Sequence, residues 1–372
     1  MKSNLMQKSR NILVMDGIAI ILIILSHELN RYVGGGFPQI SWLANISTQY
    51  FTGLGLSLFT FSSGFKLMLN HGKDISDRTF LDGYFVKRFI RLYRPYLGYT
   101  LLALAQLITA IAFVNLIWTP GQEVRNQLIG YVVRFNQPAV NVFLDFLVGL
   151  NPAAYHLWYL VALIAITGIC FMILRYSNRL TLFILVIPLI LINLVFSNNL
   201  VFYNDYEDIF QVPSGIMLYL PMFIAGAIAG HSLQNWKRGF KPLSITLTSI
   251  FMILILIIIL LPGVFPSGQR IVVLGLLFPF PVLIFSSIVN KRPRVAWPFV
   301  KSGENSFIAY LFHWPIMVPF LNLFLLDYMH LYSIVTPFII VTITIVFAHF
   351  TVRFMRRIRI NFLIEQSAKS PS

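Results

Sequence analysis

The stretch MDGIAIILIILSHEL, residues 15–29, sets the interpretation of the whole sequence. Residues 18–25 are all apolar, and the helix around them is long enough to span a membrane, which takes about 20 residues. Titratable groups stand at both ends of the run, Asp16 at one end and His27 followed by Glu28 at the other. Such groups are costly inside a bilayer and usually face a cavity or a bundle interior. The stretch therefore predicts a membrane helix whose titratable side chains have a functional role.

Asp16 and His27 are predicted to share one face of this helix. They are eleven residues apart in the sequence, which corresponds to three turns plus about 20° and to about 16 Å along the axis, while Glu28 is turned by about 100° from His27. A neutral imidazole can take a proton from a hydroxyl group near pH 7. His27 is therefore a candidate general base or transient acyl acceptor, and the alternative is a packing histidine hydrogen-bonded to a neighbouring helix.

The composition of the chain is that of a polytopic membrane protein. Of its 372 residues, 57% are hydrophobic and 11% are charged, and the mean hydropathy is +0.77, whereas soluble domains are about 45–50% apolar and about 25% charged. The net charge of +15 fits basic cytoplasmic loops better than a nucleic-acid surface. A single cysteine, Cys170, excludes a disulfide framework, and histidines without a local ligand pair predict no metal site.

Ten segments are apolar and long enough to cross a bilayer. They are residues 12–31, 49–70, 94–118, 155–174, 179–197, 213–232, 243–262, 270–290, 304–326 and 333–354. No cleavage motif follows the first segment, so we expect it to be retained rather than removed as a signal peptide. The longest loop, 119–154, is expected to form short interfacial or partly buried helices. The prediction is an all-α, polytopic membrane protein with about ten transmembrane helices in a single domain, residues 1–372.

The distribution of basic residues predicts the orientation of these helices. With the N-terminus in the cytoplasm, only Arg31, Arg125, Arg134 and Arg270 fall in outside segments, so 24 of the 28 basic residues lie inside. Short cytoplasmic loops are enriched in Lys and Arg. Both termini are therefore predicted to be cytoplasmic, including a tail at about 356–372, and the expected location is a prokaryotic cell membrane.

Three further stretches carry polar residues in unusual places. In ENSFIAYLFHWPI, residues 304–316, Ser306, Tyr310 and His313 line one helix face, and Trp314-Pro315 can free a carbonyl group toward a cavity. The alternative for this stretch is an interfacial Trp-Pro bend. In YHLWYL, residues 155–160, His156 and Trp158 could bind a substrate at the outer face, but an aromatic belt at the membrane interface is the favoured explanation.

The stretch YFVKRFIRLYRPYL, residues 84–97, contains a stripe of four cations: Lys87, Arg88, Arg91 and Arg94. Arginine forks match phosphate geometry, so the stripe could hold a phosphate-rich cofactor from the cytosol. An amphipathic interfacial helix that binds anionic lipid head groups is the alternative, and the pattern alone favours it.

Taken in order, these motifs resemble the acyltransferase-3 family of integral membrane acyltransferases, over nearly the whole chain. GIAIILIILSH is similar to the family's first helix, which ends in a histidine, and FTFSSGF (residues 59–65) to its FxxSGF run. KRFIRLYRPY resembles its arginine-rich cytosolic segment. HLWYL resembles its H-L-W-F-L box, and SFIAYLFHWPI its S-x-x-x-Y-L-x-H-x-P-I helix.

The resemblance implies transfer of an acyl group, most often acetyl, from cytosolic acyl-CoA to a hydroxyl group of an extracytoplasmic glycan or lipid-linked sugar. It implies His27 as base or acyl relay, with Glu28 or Ser306 orienting it and with Tyr310 and His313 shaping the cavity. The implied donor-phosphate ligands are Arg88, Arg91 and Arg94, and the implied acceptor residues are His156, Trp158 and Ser306. A thioester donor supplies the driving force, so no tightly bound cofactor, ATP or metal is expected.

The sequence departs from the family pattern at Asp16. The family often carries an arginine eleven residues before the histidine, with ten residues between them, and the aligned position here is an aspartate. Arg88, Arg91 or Arg94 could supply the missing cation, with Asp16 as counter-ion at the donor site. The glutamates of the SVEEQ variant that can follow HLWYL are also absent, and no esterase-like domain is expected after the tenth helix.

Two other functional hypotheses stay open at this stage. Buried ionisable groups and ten helices also suit a transporter or flippase for a lipid or polysaccharide, although no clear inverted repeat is visible. A non-catalytic family member in glycan assembly is the other, because of the aspartate at position 16. The sequence does not fix the oligomeric state.

Overall fold

The structure, a computed structural model, describes most of the chain. The described residues are 2–33, 38–72, 74–116, 156–176, 179–200, 211–235, 255, 267–313, 317, 321–329 and 333–357. Within these ranges the chain is almost entirely helical and contains no strand, as predicted. The predicted loop at 119–154, nearly all of the predicted span at 243–262 and the Trp314-Pro315 bend lie outside the described residues.

Twelve α-helices are present in the described part of the chain. They are α1 Lys2–Leu29, α2 Pro38–Ile46, α3 Thr52–His71, α4 Arg78–Leu116, α5 Trp158–Tyr176, α6 Arg179–Leu200, α7 Gln211–Asn235, α8 Ser267–Leu277, α9 Pro279–Val289, α10 Pro293–Glu304, α11 Ser306–Phe312 and α12 Thr336–Arg357. A π-helical turn at Ser47–Phe51 joins α2 to α3, and another lies at Leu323–Tyr328.

Five helical stretches among the described residues are long and apolar enough to cross a membrane. They are Arg10–Leu29, Trp158–Tyr176, Pro213–Ser232, Gln269–Val289 and Thr336–Met355. Each overlaps one of the predicted spans, so the chain is a multi-pass membrane protein, while the total of ten and the cytoplasmic termini stay predictions. The first stretch is 72% buried and the last only 28%, which puts α1 at the centre of the bundle and α12 at its edge.

The α3–α7 crossing brings backbone against backbone. Gly64 of α3 faces the carbonyl group of Phe223, and Gly226 of α7 faces the carbonyl group of Phe61. A Cβ atom at either glycine would overlap that backbone. Small residues allow this close approach between membrane helices, where lipid supplies no hydrophobic drive and packing itself must hold the helices together.

A second crossing of the same kind fixes α1 against α10. Gly17 of α1 faces the carbonyl group of Phe299, and Gly303 of α10 faces the carbonyl group of Leu13. Because α1 also packs along α3, the helix that carries Asp16 and His27 is held from two sides.

Proline inside α7 is accommodated by a side chain from α6. Pro221 has no N–H group, so the carbonyl of Met217, four residues earlier, loses its helical donor. Asn193 of α6 donates its Nδ2 to this carbonyl at 2.8 Å. The missing backbone bond is thus replaced within the bundle, which is how membrane helices tolerate proline.

The segment predicted as one span at 304–326 is not a single regular helix in its described part. Helix α10 ends at Glu304, Asn305 has a non-helical backbone (φ −110°, ψ 6°), and α11 begins at Ser306. The side chain of Asn305 donates to the carbonyl of Lys301 at 2.8 Å and so satisfies the end of α10. The break lets α11 leave the axis of α10 and pass beside α1.

Candidate active site

Three histidine rings meet near the C-terminal end of α1. The ring of His27 lies 5.2 Å from that of His313, which follows α11, and the ring of His313 lies 5.0 Å from that of His156, which precedes α5 (centroid to centroid). His156 and His313 are buried, whereas His27 is partly exposed. The sequence identified each of the three separately, and the fold brings them into one cluster.

Tyr310 links two members of this cluster. Its ring lies 5.5 Å from His313 and 5.8 Å from His156, and its hydroxyl group donates a hydrogen bond to the backbone carbonyl of His156. This bond ties α11 to the first turn of α5. Tyr310 thereby sets the distance between His156 and His313.

Backbone carbonyl groups select the neutral tautomers of the two buried histidines. The Nδ1 atom of His313 lies 2.7 Å from the carbonyl oxygen of Tyr310, and Nε2 of His156 lies 3.3 Å from that of Leu311. A carbonyl oxygen only accepts, so these nitrogens carry the protons, and in a neutral ring the other nitrogen is an acceptor. Nε2 of His313 and Nδ1 of His156 have no hydrogen-bond partner among the described residues, which leaves two buried proton acceptors beside His27.

The other residues predicted around His27 have defined positions. Glu28 is fully buried next to it on α1. The hydroxyl group of Ser306 donates to the carbonyl of Gly303 at 2.9 Å, inside its own turn. Trp158 is buried, with its ring 6.2 Å from that of Tyr159. The roles expected for Glu28, Ser306 and Trp158 stay predictions.

Asp16 is buried and forms an ion pair with a partly exposed lysine of a neighbouring helix. Ser62 donates to Oδ1 of Asp16 at 2.6 Å, and Nζ of Lys66 lies 2.5 Å from Oδ2. Both partners belong to α3, at the FTFSSGF motif and just after it. The cation that contacts Asp16 is therefore Lys66, not a member of the arginine stripe as the sequence had suggested.

Lys66 is the site residue that the sequence analysis did not identify. Asp16 and Lys66 are opposite charges within the first two predicted membrane spans, and an unpaired charge is costly inside a bilayer. That coincidence was a usable signal for a pair, although the two residues are fifty positions apart. Only the packing of α1 on α3 shows that they meet.

The cation stripe lies beside α5 rather than ahead of the membrane span. Helix α4 runs antiparallel to α5: Asp82 pairs with Arg175 at one end, Phe85 stacks on Phe171 at 4.8 Å, and Tyr99 contacts His156 at the other end. All four cations fall between these contacts in the sequence. Since α5 is one of the five stretches that can span a membrane, the stripe lies alongside the part of that stretch between Phe171 and His156.

The four cations of the stripe differ in exposure. Arg88 is buried and donates from Nη1 to the hydroxyl group of Tyr84 at 3.0 Å, while its Nε has no partner in the described part of the chain. Lys87, Arg91 and Arg94 are exposed. Three of the four are thus free to meet a ligand without repacking the helix.

Removal of the Tyr310 hydroxyl group tests the geometry of the cluster. Tyr310→Phe deletes the bond to the carbonyl of His156, and we expect a stability loss of about 1 kcal/mol. Because a misplacement of about 1 Å in a catalytic group can cost about a hundredfold, we expect turnover to fall by about ten- to a hundredfold. Initial rates of the expected acyl transfer measure the change in turnover, and thermal unfolding in detergent measures the change in stability. Tyr176→Phe, at an exposed tyrosine, is the control, and equal rates for the two variants would contradict the linking role.

Comparison with known proteins gives one match. The family model for the acyltransferase-3 family, described as an acyltransferase domain, matches residues 10–352. No curated protein matches the chain, and no solved structure matches it. The matched range runs from the start of the Arg10–Leu29 stretch into α12 and includes every candidate site residue.

Proposed function

Because this chain belongs to the acyltransferase-3 family, we propose that it is a membrane O-acyltransferase with cytosolic acyl-CoA as donor. The acyl group is most often acetyl, and the acceptor is a hydroxyl group of an extracytoplasmic or lipid-linked glycan. The observation that carries the proposal is the meeting of His27, His156 and His313 at one end of α1. Family membership supports an acyltransferase in a membrane, and the donor and acceptor are our proposal.

The chemistry needs one base and one thioester. A neutral imidazole of His27 accepts the proton of the acceptor hydroxyl as its oxygen attacks the thioester carbonyl carbon. The C–S bond then breaks, an ester C–O bond remains, and the leaving thiolate takes the proton from the imidazolium of His27. The products are an ester and free CoA thiol, so atoms and charge balance without ATP. In a two-step version, a ring nitrogen of His27 attacks the thioester carbonyl and the CoA thiolate leaves; the acceptor hydroxyl oxygen then displaces the imidazole from the acyl group, and the hydroxyl proton ends on the thiolate.

The surroundings of His27 suit this role. His27 is partly exposed, so a substrate can reach it, while His156 and His313 are buried behind it. Each of these two rings presents an unprotonated nitrogen in its neutral form, which favours hydrogen bonds from a hydroxyl group or from a protonated His27. The cluster can therefore hold a proton briefly during the transfer.

The proposed path of the donor begins at the cationic helix α4. Arg91 and Arg94 are exposed, and guanidinium groups bind phosphate oxygens in a fork geometry. The donor nucleotide and its phosphates would stay with the arginines while the thioester reaches the histidines. The acceptor would approach from the opposite face, near His156.

The proposal is tested with purified protein in liposomes. A glycolipid and glycan extract from the source membrane is enclosed in the liposomes, and radiolabelled acetyl-CoA is added outside. We expect label in a glycan or glycolipid fraction that depends on both donor and protein. Movement of an acceptor across the liposome without donor would instead support a flippase, and absence of any labelled product would contradict the acyltransferase proposal.

A further inference from the structure

We propose that Lys66 is an additional ligand for the anionic part of the donor and that Asp16 acts by positioning its ammonium group. The inference rests on the proposed function, because it takes acyl-CoA as the ligand. It adds a cation from α3 to a donor site whose predicted cations all lie on α4. It also gives Asp16 a different role, since the carboxylate contacts a cation rather than the donor.

The hydrogen bonding of Asp16 and Lys66 separates their roles. Both carboxylate oxygens of Asp16 are engaged, Oδ1 by Ser62 at 2.6 Å and Oδ2 by Lys66 at 2.5 Å. The Asp16 side chain is only 5% exposed, whereas that of Lys66 is 38% exposed. An ammonium group has three donors, and the contact with Asp16 occupies one of them. Lys66 therefore keeps donors and open space for a second anion.

The depth of the pair matches the shape of an acyl-CoA. Asp16 lies about 16 Å along α1 from His27. In acyl-CoA, an extended chain of comparable length separates the thioester from the diphosphate. When the thioester is at His27, the diphosphate falls at the depth of Lys66. The match concerns depth along the α1 axis, since Ile20 and Ile23, which lie between the two ends on that face, are packed in the core.

A second cation lies near this level from a different helix. Arg88 donates to the hydroxyl group of Tyr84, whose ring lies 5.0 Å from that of His71, five residues after Lys66 on α3. Arg88 is buried, and its Nε has no partner in the part of the chain that the structure describes. Lys66 and Arg88 carry two positive charges against the single negative charge of Asp16. The local excess of one positive charge favours a polyanion.

The ion pair also explains why a lysine is tolerated at this position without donor. A lone ammonium group inside a bilayer is costly, and a carboxylate partner reduces that cost. Asp16 thus holds the ammonium group in place before the donor arrives. A phosphate oxygen then joins Lys66 as a further acceptor while the Asp16 contact remains.

The test replaces both charges by amides in one variant, Asp16→Asn with Lys66→Gln. Amide groups keep the capacity for a hydrogen bond and leave no uncompensated charge, so the fold is protected. Two substrates are compared, acetyl-CoA and acetyl-pantetheine, which lacks the nucleotide and its phosphates. We expect the KM for acetyl-CoA to rise by about ten- to a hundredfold, with kcat and the KM for acetyl-pantetheine nearly unchanged.

Two further variants complete the design. Lys66→Arg keeps the positive charge and should retain most of the affinity for acetyl-CoA. Glu304→Gln with Lys301→Gln neutralises another ion pair, at 2.6 Å, and should leave both KM values unchanged. A matching rise in KM for both substrates in the amide variant would indicate a structural role and overturn the inference.

The outcomes separate this inference from the proposed function. If wild-type protein transfers acetyl from acetyl-CoA and the amide variant has the same KM, only the role of Lys66 is overturned. If wild-type protein neither binds nor uses acetyl-CoA, the proposed function fails and the inference fails with it. A selective loss of affinity for acetyl-CoA supports both.

Discussion

Replacement of His27 by alanine is expected to lower acyl transfer by about 10²–10⁴-fold, the usual contribution of a general base. The expected loss is large because His27 is the partly exposed member of the histidine cluster and is therefore the one that a substrate can reach. His156 and His313 are buried and cannot replace it without repacking α5 and α11. A transient acyl-histidine route predicts a loss of at least this size.

The measurement is acetyl transfer to surface glycans, followed by mass spectrometry in cells that carry only the variant. Protein levels in the membrane are checked in parallel, because a loss of protein would imitate a loss of chemistry. His231→Ala is the matched control: His231 lies on α7 against the ring of Phe183, outside the cluster. Wild-type acylation by His27→Ala would remove His27 from the mechanism.

Replacement of Gly226 by leucine is expected to abolish the folded bundle. A Cβ atom at this position would overlap the backbone carbonyl of Phe61 on α3, and backbone, unlike the end of a side chain, cannot turn aside. Overpacking in a core commonly costs about 1–3 kcal/mol, and here a whole isobutyl group must enter a crossing that does not admit one methyl. We expect aggregation or degradation rather than a modest fall in melting temperature.

Gly83→Leu is the matched control for this prediction. Gly83 lies on α4, and a Cβ atom added there would meet nothing within 4 Å. Size-exclusion profiles in detergent and the yield of membrane protein compare the two variants. A monodisperse Gly226→Leu protein at normal yield would show that α3 and α7 can separate, and the close crossing would then not be essential.

Hydropathy alone anticipated much of the architecture. Apolar runs without charges must either be buried or face lipid, so the stretches around residues 158–176 and 336–355 were visible as helices in the sequence. The break at Asn305 was not visible, because a non-helical backbone at one residue leaves the apolar pattern intact. The π-helical turn at Ser47–Phe51 is hidden for the same reason.

Contacts between helices could not be read from the sequence. Periodicity gives the face on which His313 lies but not the neighbour that this face meets, so the meeting of His27 with His313 needed the three-dimensional packing. The pairing of Asp16 with Lys66 depends in the same way on the axial position of α1 relative to α3. The residue types indicated which side chains are candidates for a functional site, and the fold determined which of these side chains lie next to one another.

The arginine stripe shows how a hydropathy window can place the start of a membrane span too late in the sequence. A window that counts charges begins the span where the charges stop, which gave 94–118 as the predicted segment. In the structure, Asp82 and Tyr99 of α4 already contact the two ends of α5. Cations of α4 therefore lie level with a stretch that can span the membrane, ahead of the point at which the hydropathy window begins the span.

Under the proposed function, the depth of the arginines beside α5 would also subject donor binding to the voltage across the bilayer. Carrying one elementary charge across the whole membrane changes its energy by about 2.3 kcal/mol per 100 mV. A polyanion that leaves a negatively polarised cytosol and stops part-way across, among Arg88, Arg91 and Lys66, has moved down its electrical gradient. With cytosolic donor entry, an energised membrane therefore holds acyl-CoA more tightly than a depolarised one, so surface acylation would follow the energetic state of the cell.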